Sequence, residues 1–339
     1  MTQSQEISKA QQPGASAADW ALLILLVSLG GSAFAMIRVA VETIPPIVVT
    51  VGRLWVGALV MIVVMKHAGR RFPDFFVRGK ASVTVSQEWR WIIAIAAVAY
   101  FAPFFIFPWA QQHIESGLAG VYMAFMPIWT VMLAYFFASE SLGVKKIVGF
   151  ILGLIGVLIL MGPEILGDIE NSALGAQIAV LIATLCYAGG AVMTRRAPYV
   201  RPRAFAAGTL FCAAIMSTPA LFFVELDPST WSLGGLINVV ALGLGPTGAA
   251  GIIIIIIIQR AGAGFMALAN YLVPLWAVAI GAALFNERLE TSVFIALPII
   301  LLGVAISQRQ GRSTATSEAA TASTGEMAPV AVDADQYES

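Results

Sequence analysis

Charged and turn-forming residues cut the chain between residues 20 and 307 into ten apolar stretches. They run over 20–38, 45–65, 91–110, 116–138, 146–161, 174–194, 204–224, 233–258, 262–286 and 292–307. Crossing a bilayer core of about 30 Å takes roughly 20 helical residues, and somewhat shorter stretches are accommodated by thinning or snorkelling. Open chain inside lipid must satisfy its own backbone, which only helix does. Composition agrees, with 59% of the 339 residues apolar and 11% charged, against about 25% charged in soluble domains. The least readable stretch is Ile252–Ile258, seven isoleucines in a row. A homopolymer has no periodicity to tell helix from strand, and in water such a run would invite cross-β stacking. As the end of the eighth span, followed by Gln259 and Arg260, it has a place in lipid.

Lysine and arginine placement orients the spans. With the N-terminus inside, 16 of the 19 basic residues fall on inner segments, while Arg38 and Arg288 fall outside and Arg53 lies within span 2. Both termini are therefore expected in the cytoplasm. Residues 1–19 read as an inner tail, and 308–339, rich in Ser, Thr, Ala and acids, read as disordered. The formal net charge of zero gives no overall bias towards nucleic acid. Cys186 and Cys212 lie in apolar stretches and read as small core residues without disulfide or metal spacing.

The chain also repeats itself. The stretch from Ser116 lies over the stretch from Ala263, with Gly117 over Gly264, Pro127 over Pro274, Trp129 over Trp276, Glu140 over Glu287, and Gly156-Val157 over Gly303-Val304. Upstream the same register pairs Arg38 with Arg195 and Pro45 with Pro202 after a ten-residue shift, which fits a longer loop between spans 2 and 3. The two units cover 20–161 and 174–307. Each holds five spans, an odd number, so the second enters the membrane from the opposite side. Inverted repeats of this kind are a hallmark of secondary transporters.

The pattern Pro-x12-Glu-x15-Gly, found twice, together with Gly30-Gly31-Ser32 and Arg53 after Pro45-Pro46, resembles the EamA-type branch of the drug/metabolite transporter superfamily. Within it the chain is most similar to bacterial inner-membrane exporters of aromatic amino acids. The resemblance implies an all-α integral membrane protein. Ten helices in two inverted five-helix repeats would surround a central cavity, with spans 1, 3, 4, 6, 8 and 9 lining it and spans 5 and 10 outside. It also implies export, which nothing in residue spacing indicates. Leu210 stands where the repeat would place a second Arg53, so that arginine is no symmetric structural requirement.

A cavity inside lipid should show as polar or aromatic side chains on one face of an apolar helix. Span 3 offers Tyr100, Phe104, Phe107 and Gln111; span 4 offers Tyr122, Met126 and Trp129. Span 6 carries Tyr187, span 9 carries Asn270, Tyr271 and Trp276, and span 1 carries Ser32. Read functionally, these form an aromatic box for flat or apolar cargo, with hydroxyls and an amide fixing polar ends. Read structurally, they are lipid-facing or interfacial aromatics. Pro127 and Pro274 occupy matched positions and are candidate hinges. Arg38 and Arg53 either draw a carboxylate into an outer vestibule or pair with Glu42 and Glu287. Glu140 and Glu287 read as structural partners of Lys145, Lys146 or Arg288. Gly149-x3-Gly153 is a small-residue surface, for packing within the bundle or between subunits.

Export of neutral or aromatic amino acids by alternating access is thus the expected function, with a small molecule and the bilayer as partners and a monomer or weak homodimer as assembly. Broad drug or metabolite efflux is the alternative. Nucleotide-sugar exchange would want several cavity cations for phosphates. A membrane enzyme would want paired acids or a histidine cluster, which His67 and His113 on opposite sides do not supply. No cofactor or metal is expected.

Overall fold

The computed structural model of the chain describes residues 15–78, 83–138, 143–161, 172–287 and 290–308. Among these, nine helices are long and apolar enough to span a membrane: α1 (Ala17–Val41), α2 (Pro46–His67), α3 (Gln87–Ala110), α4 (Ser116–Phe137), α5 (Val144–Met161), α6 (Ala173–Arg196), α7 (Pro202–Phe223), α8 (Leu233–Gly262) and α9 (Gly264–Phe285). A shorter apolar helix, α10 (Thr291–Ser307), follows. Glu140, Arg288 and nearly all of the tail expected to be disordered lie outside the described residues. One element departs from an all-α chain. Phe76–Arg78 pairs antiparallel with Val83–Val85 in the loop between α2 and α3, two strands whose valines, threonine and phenylalanine suit extended chain.

Local chemistry moves several boundaries by a few residues. The first helix begins at Ala17, inside the expected tail, because Ser16 and Asp19 form a capping box: the Asp19 amide donates to Ser16 Oγ, and the Ser16 amide donates to the Asp19 carboxylate. Helix α8 runs past the isoleucines and Arg260 to Gly262, whose φ of 85° ends it. Arg260 does not simply return to water, because its Nε donates to Asp19 Oδ1 at 2.7 Å and ties the end of α8 to the start of α1.

Helix neighbours fall into matched sets. Helix α1 packs on α8 and α9, as α6 packs on α3 and α4, while α2 lies on α7, α4 on α9 and α5 on α10. Exchanging the first five helices for the last five returns the same pairs. Both α3 and α8 also contain a wide π-helical stretch, at Ala96–Phe101 and Gly243–Ala249. These stretches begin at positions that the repeat places over one another. Such local widening often accompanies functional sites.

The small residues of α5 pack within the bundle. A Cβ at Gly149 would stand 2.5 Å from the Gly303 carbonyl oxygen, and one at Gly156 would stand 2.5 Å from Ile300, both on α10. Gly153 faces Phe125 and Ile128 of α4. Close backbone approach of this kind is how helices associate in lipid, where burial from water contributes nothing. The matched prolines differ in setting. Helix α4 is interrupted by a turn at Ala124–Phe125 and resumes at Met126, so Pro127 sits in a first turn, where it costs no hydrogen bond. Pro274 lies inside the continuous helix Ala269–Phe285.

Candidate functional site

Arg53 is the one strongly buried cation among the described residues, at 6% exposure. It does not pair with Glu42 or Glu287, as the sequence allowed. Seven residues past the start of α2, it lies about 10 Å along the helix axis. Its guanidinium carbon stands 4.1 Å from the centre of the Phe104 ring on α3. Its Nε and one terminal nitrogen point at the Thr247 hydroxyl, 3.4 and 3.3 Å away on α8. No carboxylate lies within ion-pair distance of it among the described residues. A ring face and one hydroxyl leave most of its five donors without strong acceptors.

The surroundings are built by the helix irregularities. Tyr100 lies in the widened stretch of α3 and Thr247 in that of α8. Pro108 has no N–H, which releases the Phe104 carbonyl from the α-helical ladder. Thr50 of α2 supplies the missing donor, at 2.6 Å. Its hydroxyl also lies 2.9 Å from the Pro46 carbonyl. The ring centres of Tyr100 and Phe104 are 5.7 Å apart. Tyr187 of α6 stands 6.5 Å from Phe104 and 6.1 Å from Phe107. Arg53, Tyr100, Phe104 and Tyr187 thus come together as a cationic centre walled by aromatic rings.

Other expected site residues make contacts of their own. Tyr122 is fully buried, and its hydroxyl donates to Gln177 Oε1 at 2.8 Å. We expect Tyr122→Phe to lower stability by about 1 kcal/mol, measured by thermal unfolding, and to leave the half-saturation for cargo within about twofold. A larger loss of affinity would place Tyr122 in contact with cargo. Trp129 packs edge-on against Phe125, 5.1 Å away, and lies 6.2 Å from Phe150 of α5. Its indole nitrogen is buried without a partner among the described residues. Trp276 donates to Ser32 Oγ at 3.0 Å, and Gly31 beside it lacks the Cβ that would meet the Trp276 ring at 2.6 Å. That contact explains the Gly-Gly-Ser stretch of span 1. Met126, Asn270 and Tyr271 are half-buried on α4 and α9.

A second polar cluster forms at the end of the bundle carrying Arg38. Asn286 adopts the left-handed conformation (φ 50°, ψ 34°) that ends α9, a conformation asparagine tolerates better than most residues. The turn delivers Glu287 to the N-terminus of α4. Its carboxylate accepts from the Ser116 amide at 2.9 Å, the Ser116 hydroxyl at 2.7 Å and the Gly117 amide at 2.9 Å. Arg38 lies 3.7 Å away. Glu287 therefore caps another helix and, as one reading of the sequence allowed, meets Arg38 rather than Lys145 or Lys146. A cavity of about 510 Å³ opens beside it, lined by Arg38, Glu42, Gln111, His113 and Glu115 among others. Burial, then the Glu287 carboxylate, push the Glu115 carboxyl above the usual carboxylate range. At the opposite end, an apolar cavity of about 240 Å³ lies between Trp91, Leu133 and Val192. There Arg196 donates to the Phe137 carbonyl.

Thr50, Thr247 and Gln177 are the polar residues that sequence does not single out. Threonines and a glutamine in apolar helices carry no signal of their own, since their partners come from other helices.

A multi-span helical bundle with a buried cation and polar groups turned inward belongs to the class of polytopic membrane proteins that handle solutes within the bilayer. Two segments, 19–162 and 174–308, each match the EamA-like transporter family. The chain belongs to that family. Similar proteins include an uncharacterized transporter, YoaV of Bacillus subtilis (strain 168), 24% identical over 83% of this chain and 94% of its own length. The aromatic amino acid exporter YddG of Ancylobacter novellus is 27% identical over 65% of this chain and 72% of its own. The uncharacterized inner membrane transporter YedA of Escherichia coli (strain K12) is 23% identical over 84% of this chain and 88% of its own. A crystal structure with 20% sequence identity shares the fold at a TM-score of 0.57, covering 88% of this chain and 99% of that one.

Proposed function

We propose that this membrane transporter exports neutral and aromatic amino acids across a bacterial inner membrane by alternating access, with Arg53 receiving the cargo carboxylate. The observation that carries the reading is the buried guanidinium without a carboxylate partner among the described residues. A charge inside the bilayer region is costly and marks a solute path, and a planar guanidinium matches a carboxylate in bidentate geometry. Phe104, Tyr100 and Tyr187 supply the faces on which an aromatic or apolar side chain stacks. In this reading the halves are inverted, both termini are cytoplasmic and the Arg38 end faces outward. The turn before Pro127 and the turn at Ala267–Leu268 before Pro274 let α4 and α9 bend as the halves rock. The similarity to an aromatic amino acid exporter supports the same cargo class.

Counterflow in proteoliposomes tests the proposal directly. Vesicles loaded with unlabelled phenylalanine should accumulate labelled phenylalanine, tyrosine, tryptophan, threonine or methionine. Exchange of cationic dyes with no exchange of any amino acid would instead establish broad drug or metabolite efflux.

A further inference from the structure

Gln111 ends α3 and lines the cavity at the Arg38 end, yet it is only 3% exposed. Neither its amide oxygen nor its amide nitrogen has a hydrogen-bond partner among the described residues. Buried side-chain amides are nearly always satisfied, because each unmet group carries a desolvation penalty. Gln111 lines a polar cavity while both ends of its amide are buried and unmet, so a ligand that donates and accepts at once would satisfy it on a turn of the side chain. The walls narrow the choice further. Arg38 is cationic, about a third exposed and only loosely engaged by Glu287 at 3.7 Å. Glu42 and Glu115 are acidic. The volume of about 510 Å³ falls within the roughly 300–1,000 Å³ of small-molecule sites.

The geometry points to this cavity as an outer binding site for the zwitterionic head of a free α-amino acid, distinct from the Arg53 centre and occupied on the way out. The carboxylate accepts from Gln111 Nε2 and Arg38. The ammonium donates to Gln111 Oε1 and lies on the side of the cavity walls that carries Glu42 and Glu115. No bond is made or broken. The site deepens the export reading and rests on it for the cargo class, while its residues and position are independent of Arg53.

The test is equilibrium binding of labelled phenylalanine to the purified full-length protein in detergent, for the wild type, Arg53→Met and Arg53→Met/Gln111→Leu. With the inner centre removed, Arg53→Met should retain a binding site, and Gln111→Leu should weaken that remaining site at least about tenfold, the scale of a hydrogen bond to a charged group. Phenylalanine methyl ester and phenylpropionate should both compete poorly there, since each lacks half of the zwitterion. Gln111→Glu keeps the size of the side chain and should reverse the preference, favouring the ester amine over the acid by about tenfold or more. Gln111→Leu should not lower the unfolding temperature, because the amide it removes bonds to no other group of the described protein. Loss of all binding in Arg53→Met would overturn the outer site and leave the export reading standing. Residual binding that ignores both Gln111 changes would overturn it equally. Absence of amino acid binding in the wild type would remove the cargo class itself.

Discussion

Replacing Arg53 by Met should cut export of carboxylate-bearing amino acids by about 30-fold or more while leaving the protein folded. Removing one partner of a buried charge-assisted contact costs about 2–5 kcal/mol, and no described carboxylate of the protein faces Arg53 to be left stranded. Arg53 meets the Phe104 ring and Thr247 Oγ1, so an apolar chain of similar length should be neutral or stabilising in thermal unfolding. Arg53→Lys keeps the charge but loses the plane that lies on Phe104 and grips a carboxylate at two points. It should recover only a minor part of the rate. The discriminating measurement compares phenylalanine with its methyl ester in counterflow: Arg53→Met should abolish the advantage of the free acid. Wild-type rates for the free acid in Arg53→Met would show that the cation is structural and the proposed site wrong.

Glu287→Ala should destabilise the bundle by about 2–4 kcal/mol, the scale of losing a helix cap together with hydrogen bonds to a charged acceptor. The carboxylate side chain is 2% exposed and joins three elements: it follows the end of α9, holds the first two amides of α4 and faces Arg38. Alanine leaves the Ser116 and Gly117 amides without their acceptor at a position where burial excludes easy replacement by water. Glu287→Gln keeps one oxygen but turns an NH2 towards a donor, so it should fall between wild type and alanine. Gly281 is expected to behave in the same way, since a Cβ there would overlap the Glu287 carboxylate. Thermal unfolding of the detergent-solubilised variants gives the ranking, and an alanine variant as stable as wild type would show that water or Arg38 rearrangement replaces the cap.

The spans could be read from sequence because the bilayer imposes a one-dimensional rule, roughly 20 apolar residues per crossing. Expected and observed boundaries differ by only a few residues, and the differences have local causes: the Ser16–Asp19 capping box at α1 and the Gly262 turn at α8. The isoleucine run was legible only by its position. It forms part of α8 beyond the widened stretch, with Ile257 fully buried and Ile258 exposed, a difference that seven identical residues cannot encode. The pairing of Phe76–Arg78 with Val83–Val85 is not announced by the sequence, because two strands of three residues are too short to set up a pattern that stands out from a loop.

What sequence determined by itself was the solvent, the number and limits of the spans and the repeated pattern, because hydrophobic length, charge placement and recurring residues are properties of the chain alone. Which aromatic and charged residues come together was decided only by tertiary structure. Arg53, Phe104 and Thr247 come from three helices far apart in the chain, and only packing sets an arginine against a ring instead of a carboxylate. Sequence offers Glu287 either Arg38 or its chain neighbours, and the left-handed turn at Asn286 carries it to α4 and Arg38. Tyr122 and Trp129 share one helical face, yet the hydroxyl of one meets Gln177 of α6 and the ring of the other meets Phe150 of α5. Helical periodicity says which residues share a face, and the neighbouring helix decides what that face meets.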